Sequence, residues 1–311
     1  MIYTVTANPA LDKTVVIPDF TPGGVNRVQR LRTDAGGKGI NVSKYIAMLG
    51  GESVALALLA GEVGKEILAF LERQPGITPK PVWSSGETRT NLKIVDSARR
   101  INTDINEPGP AVTAEDLAGL LELLLSGLKP GDSVVLAGSL PGNAPASLYR
   151  DWADRCRQRG ACVFLDADGE ALRLGLEAKP DLIKPNRDEL SALVGRPLAD
   201  EQDILKAARE ISAGVRRVVV SMGDAGALFF SGNEVLRAYA AHVPVRSTVG
   251  AGDSMVAALA YGAQQGMSWR EQARLAMALS TAKVTCDGTQ APPLETVKAL
   301  LDRIEILEVS E

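Results

Sequence analysis

The chain has 311 residues, enough to bury a substantial core, and its 45% apolar content is that of an ordinary globular protein rather than a disordered one. With 34 basic and 38 acidic residues the formal charge is -4, so there is no basic field for a nucleic acid, and any anionic ligand must be met by a local site. The three cysteines (Cys156, Cys162, Cys286) form no C-x-x-C pair and, with the single histidine His242, do not supply the usual zinc sets; both absences suit a reduced cytoplasm.

The opening run, residues 1–6, reads as a strand that begins at once, with no charged leader or cleavage signal, so the chain is expected to stay in the cytoplasm. No apolar run reaches the roughly 18 to 20 residues that a membrane-spanning helix needs. Segments 13–18, 25–33, 90–95 and 101–105 alternate apolar and polar residues without a helix between them, and they read as half-exposed antiparallel strands. They are expected to form a small β-sheet lid, inserted at about 12–34 and 82–107, over the carboxyl ends of the main strands. From 134 onward, short apolar runs at 134–137, 162–165 and 182–183 alternate with helical stretches at 148–159 and 171–176. This is the signature of βαβ units and a parallel sheet covered on both faces. Residues 217–221 add another buried strand, 227–230 and 235–239 read as a hairpin, and 253–262 and 269–282 read as two packed helices. The expected fold class is α/β, a three-layer α/β/α sandwich with a mostly parallel central sheet, in one domain without repeats or linkers.

His242 precedes Val243-Pro244-Val245 in what reads as an edge strand, the wrong place for a Ser-His-Asp or Cys-His arrangement, so acid-base chemistry falls to carboxylates or lysines. The strongest local signal is Thr248-Val249-Gly250-Ala251-Gly252-Asp253-Ser254, between an extended segment and a helix. Two glycines allow a tight turn and leave unpaired N–H groups at the helix start, which is an anion site. Asp253 in that first turn stands either to take a proton from an attacking hydroxyl or merely to complement the helix dipole. The run lacks the third glycine of a dinucleotide fingerprint, and no Walker loop occurs anywhere. A second signal, Ala35-Gly36-Gly37-Lys38-Gly39-Ile40-Asn41, opens another helix: glycines for close approach, Lys38 for a phosphate, Asn41 for sugar hydroxyls, or simply a Gly-rich turn with a solvated lysine. A third is Lys184-Pro185-Asn186-Arg187-Asp188-Glu189, where Asn186 and Glu189 share a face at a helix start and suit either a hydrated magnesium ion or a capping box. Loops 137–142 and 221–226 lie at carboxyl ends of strands, where ligand loops sit.

Taken in order, Asn8-Pro9-Ala10-Leu11-Asp12, Gly36-Gly37-Lys38-Gly39-Ile40-Asn41, Gly138-Ser139-Leu140-Pro141, Lys184-Pro185-Asn186-x-x-Glu189 and Gly250-Ala251-Gly252-Asp253 resemble the ribokinase/PfkB carbohydrate kinase family over essentially the full chain. The resemblance implies a ribokinase-like fold, ATP and Mg2+ as cofactors, Asp253 as catalytic base, and the N–H groups of Gly250, Ala251 and Gly252 as anion hole. It further implies that Asn186 and Glu189 organise magnesium through water, and that Lys184, Ser221, Gly223, Gly226 and Thr248 line the nucleotide site. Asp12, Gly37, Asn41 and Ser139 then belong to the sugar site. The glycine loop with Lys38, together with Thr88-Arg89-Thr90-Asn91 and residues 103–109, is similar to the phosphosugar branch, where Lys38, Arg89 and Arg27 hold the existing phosphate. Within that branch the likeness is to the 1-phosphofructokinase group, which implies fructose 1-phosphate as acceptor. Tagatose-6-phosphate kinases and the minor 6-phosphofructokinases share nearly all of these motifs. A non-catalytic sensor of a sugar phosphate or nucleotide is the alternative of another class, and a pure binder has no need of Asp253 beside both glycines. The lid strands, with one apolar face to cover, are expected to pair in a homodimer.

Overall fold

The apolar runs behave as strands clad on both sides by helices. In the computed structural model, which describes residues 1–99 and 101–309, they form one ten-stranded sheet. Its strands are β1 (Ile2–Thr6), β4 (Ser53–Leu59), β5 (Ile77–Trp83), β8 (Ser133–Ala137), β9 (Cys162–Asp166), β10 (Leu182–Ile183), β11 (Arg217–Ser221), β12 (Ala227–Ser231), β13 (Glu234–Ala238) and β14 (Ile306–Glu308). A second sheet holds β2 (Ala10–Ile17), β3 (Arg30–Gly36), β6 (Arg89–Asp96) and β7 (Ile101–Ile105). The large sheet runs β14-β13-β12-β11-β10-β9-β8-β1-β4-β5, parallel from β5 to β11 and antiparallel from β11 to β14.

Alternate residues of one strand enter different cores, because successive side chains leave a strand on opposite faces. Val134 and Leu136 of β8 join Leu120, Leu124, Trp152 and Ile204 on one side. Val135 and Ala137 join Val42, Ile46, Val256 and Leu279 on the other. Val218 and Val220 of β11 likewise face away from Val219. Each such side chain, fully buried, contributes about 1.5–3 kcal/mol. The helices Lys38–Met48, Ala251–Gln264 and Trp269–Lys283 therefore form one outer layer, and Ala114–Gly127, Leu148–Gln158 and Glu201–Ser212 the other. This is the expected three-layer sandwich, and it brings the first turns of Lys38–Met48 and Ala251–Gln264 side by side.

The small sheet departs from expectation in two respects. β2 pairs with β3 and β6 with β7 in antiparallel fashion, but β2 and β6 are parallel, in register from Ala10 opposite Arg89 to Ile17 opposite Asp96. Each follows a parallel strand of the large sheet, β1 and β5, by a short link, so both rise in the same direction. Residues 25–29 carry no strand, and β3 begins only at Arg30. The expected edge strand at 242–245 is also absent: His242 is exposed in an irregular segment, its carbonyl accepting a bond from Arg303. With Pro244 next to it, that segment has no regular donor ladder to offer.

Candidate active site

The glycine turn at 250 exists because nothing larger fits. Gly250 has φ +78°, and a Cβ there would lie 2.5 Å from Tyr45 Oη. The turn caps the helix Ala251–Gln264 and puts Asp253 in its first turn, buried at 7% exposure. The N–H of Ala251 reaches Thr248 O at 3.2 Å, whereas no acceptor among the described residues meets the N–H groups of Gly250 and Gly252. Of the three amides expected at this anion site, one is thus already engaged. Asp253 Oδ2 accepts a 2.8 Å bond from Asn41 Nδ2, and the residue lines a cavity of about 560 Å3. Burial pushes the Asp253 carboxyl up to about 6, and the Asp166 carboxylate adds to the rise; Lys38, the Asn41 bond and Lys184 restrain it.

Lys38 opens its helix directly after Gly37, whose φ of +107° and would-be Cβ, 2.6 Å from Thr6 Cγ2, demand glycine. Its ammonium leans on Asp166, the last residue of β9, at 3.4 Å, while Lys184 approaches the same carboxylate oxygen at 3.5 Å. Asp166, almost wholly buried, is pushed up by desolvation, but the two ammonium groups win and hold it below its usual range. Lys38 is held well above the usual lysine range, chiefly by Asp166, against its own desolvation. The triad is a fixed pair of positive charges around one negative charge. Lys184 also packs on Gly252, where a Cβ would stand 3.0 Å from its Nζ, so the glycine turn and the lysine are shaped to each other.

The small sheet forms the opposite wall. Asp12 of β2 stands opposite Asn91 of β6 and Asp34 of β3, accepts a 3.0 Å bond from Asn91 Nδ2, and packs against Gly36, where any Cβ would collide with its carboxylate. Two residues along, Thr14 stands opposite Lys93, which pairs with Asp104 of β7, so one face of the small sheet is a polar row over the cavity. Arg89 donates to the carbonyls of Glu107 and Asn8, each at 3.0 Å, and approaches Ser139 Oγ at 3.4 Å; both residues line the cavity. Arg27 does not: it is exposed in the segment before β3 and outside the lining.

A second cavity of about 550 Å3 lies beyond Lys184, lined in part by Asn186, Ser221 and Gly223. Gly226 is not in that lining; its φ of +97° closes the turn under the carbonyl of Ala238. Thr248 is exposed two residues before Gly250. Asn186 and Glu189 form a reciprocal capping box, Asn186 Oδ1 accepting from Glu189 N and Glu189 Oε2 from Asn186 N, both at 2.8 Å. Glu189 Oε1 takes no part in the box, and the Glu189 charge is felt at Lys38. Among the described residues no group of three or more His, Cys, Asp or Glu is gathered as a metal cage. The oxygens of Asn186 and Glu189 are hard donors that fit a divalent ion with part of its water shell kept.

Sequence reasoning gave no part to Asp166, Lys93, Lys44 or Thr289, and it quoted Asn91 and Asp104 only within motifs, without a role of their own. Asp166 left a signal, a carboxylate ending a buried parallel strand on the side where ligands bind. Lys44 left none, because a lysine in a helix is ordinarily solvated.

Comparison with known proteins gives the chain its family. Residues 6–297 match the pfkB family carbohydrate kinase profile. The chain is 43% identical to the 1-phosphofructokinase of Rhodobacter capsulatus, over 98% of this chain and 97% of that one. It is 37% identical to the 1-phosphofructokinase of Bacillus subtilis, over 98% and 99%. Phosphofructokinase-2 from Escherichia coli, solved in complex with substrates and products, superposes with a TM-score of 0.93 at 32% identity, over 97% of this chain and 98% of that one. A cleft between a ribokinase-like sheet and a small second sheet, lined by Gly250, Asp253, Asp12 and Lys38, is thus accompanied by full-length kinship, and the chain belongs to the pfkB family of carbohydrate kinases.

Proposed function

We propose that this kinase transfers the γ-phosphoryl group of ATP to a hydroxyl of a ketose phosphate, fructose 1-phosphate first among them, giving fructose 1,6-bisphosphate, with Asp253 as general base. The observation that carries the reading is Asp253 itself: a buried carboxylate raised to about 6, one oxygen tied to Asn41, beside two amides without protein acceptors. A base with that pKa is deprotonated at neutral pH yet basic enough to take a proton as the hydroxyl attacks. The N–H groups of Gly250 and Gly252, at the positive end of the helix, offset charge growing on the transferred phosphoryl group. Lys38 and Arg89 hold the phosphate already on the sugar, Asp12 and Asn91 orient sugar hydroxyls, and the small sheet acts as a lid that excludes water. Ser221, Gly223, Gly226, Thr248 and Lys184 serve the nucleotide. Mg2+, its waters held by Asn186 and Glu189, supplies neutralisation of phosphate charge when bound.

An assay of ADP release with fructose 1-phosphate, fructose 6-phosphate and tagatose 6-phosphate tests this, with the highest kcat/KM expected for fructose 1-phosphate. A higher value for another sugar reassigns the substrate, and no turnover with any of them leaves a sensor.

We further read the chain as one kinase domain that works as a homodimer through the small sheet. Leu31, Ile101 and Ile105 expose apolar side chains there, each more than half accessible, with Val25 and Val28 beside them. Sedimentation should give about twice the monomer mass; monomer alone would remove this assignment. No helix among the described residues is long and apolar enough to cross a membrane, and the free thiols of Cys156, Cys162 and Cys286 suit the cytoplasm, where we place the enzyme.

A further inference from the structure

Lys44 lies on the helix Lys38–Met48, three residues after Asn41 and so on the same face. A buried lysine survives only if its ammonium finds partners. Lys44 finds three: Ala35 O at 3.0 Å, Asn41 Oδ1 at 3.1 Å and Thr289 Oγ1 at 3.2 Å. An ammonium has three protons and no acceptor, so this set exhausts it. The consequence falls on Asn41. With its amide oxygen facing a donor-only group, the opposite orientation would set N–H against N–H, and the amide can present only its NH2 end to Asp253. That end donates to Asp253 Oδ2 at 2.8 Å.

We propose that Lys44 is a positioning residue: it locks the Asn41 amide, and through it fixes which oxygen of Asp253 is tied down and which faces the substrate hydroxyl. The assignment rests on the reading of Asp253 as base. It also narrows the role of Asn41, whose amide oxygen and one N–H are committed within the protein, leaving its second N–H for the cavity it lines.

The charged surroundings are compatible with the role. Lys44 is faced by Asp34 of β3, Asp12 of β2, Asp253 and Arg32, with the Phe70 ring 5.7 Å from its Nζ. Burial lowers Lys44 to about 8 against the pull of those carboxylates, so it is still charged where the acidic limb of activity lies. Asp253 is faced by Asp166, Lys38, Lys184 and Asn41, and it also interacts with Lys283 from the helix Trp269–Lys283 and with Tyr45.

The test is the dependence of kcat on pH, from about 5 to 8, for the wild type, Lys44→Met, Asn41→Ala, the double variant and Asp253→Asn. Losing an ordered donor to a carboxylate raises its pKa, so the acidic limb of Lys44→Met should move up by about one pH unit. Relative to wild type, that is a loss of about eightfold at pH 5.5 and about twofold at pH 7. Asn41→Ala should move the limb the same way, and in its background Lys44→Met should add nothing. Lys44→Arg, which also donates several N–H bonds, should restore most of the wild-type position. A limb unmoved by Lys44→Met or by Asn41→Ala overturns the proposal, as does a Lys44→Met shift that persists in full without Asn41, which would be a direct charge effect. If Lys44→Met does not fold, Lys44→Gln, polar but uncharged, takes its place in the same comparison, and an unmoved limb in Asn41→Ala overturns the proposal in either case. Full activity in Asp253→Asn would instead refute the base assignment, an outcome separable from failure of the Lys44 link.

Discussion

Two buried carboxylates, Asp253 in the lining of the cleft and Asp166 behind its Lys38, are driven in opposite directions. Asp166, at the end of β9, has two lysines against one oxygen and is held below the usual carboxylate range. Asp253, in the first turn of its helix, has one neutral amide donor and no direct ion pair among the described residues, and it rises to about 6. Desolvation pushes both upward, so the difference lies in who stands beside them. The fold thus separates a carboxylate held as an anion between Lys38 and Lys184 from one whose protonation falls near 6. Two identical side chains acquire two ionic characters through placement alone.

The sharpest way to break this contrast is Asp253→Asn, expected to lower kcat by roughly 10²- to 10⁴-fold with sugar and ATP affinity kept, and to abolish the acidic limb centred near 6 that steady-state rates should show in the wild type. An active Asn variant would overturn the base assignment. The next is Asp166→Asn. It leaves two ammonium groups without their shared counter-charge, for an expected loss of about 3 kcal/mol in a denaturant titration. Its effect on the catalytic limb has a definite sign: the Asp166 charge that raises Asp253 is gone while Lys38 and Lys184 remain, so the limb should move to lower pH, opposite to Lys44→Met. A limb that stays or rises would show that the two carboxylates are not coupled. The native contribution of Asp166 follows the usual linkage. With its folded pKa depressed below 3.8, it stabilises the protein above that value, and this is lost as pH falls through the folded pKa.

Much of this was legible in the linear chain. β8, β9 and β11 were readable because strands covered on both faces carry unbroken apolar runs, and the two glycine turns because positive φ at Gly37 and Gly250 excludes most other residues. The capping box and the water-mediated metal role at Asn186 and Glu189 share one spacing, and both side chains do cap the helix. The parallel pairing of β2 with β6 was not legible, since alternation within a strand says nothing about the direction of its neighbour. Nor was Asp166, which closes a strand read only for its apolar residues, nor Lys44, whose partners Ala35 and Thr289 lie nine and 245 residues away.

The sequence by itself determined the layers, the glycine turns and the presence of Asp253 at a helix start, because these follow from local periodicity and backbone sterics. Only the tertiary structure decided the ionic character of the site. The states of Asp253, Asp166, Lys38 and Lys44 depend on desolvation and on charges supplied by separate elements, and such terms exist only once the chain has packed those elements together.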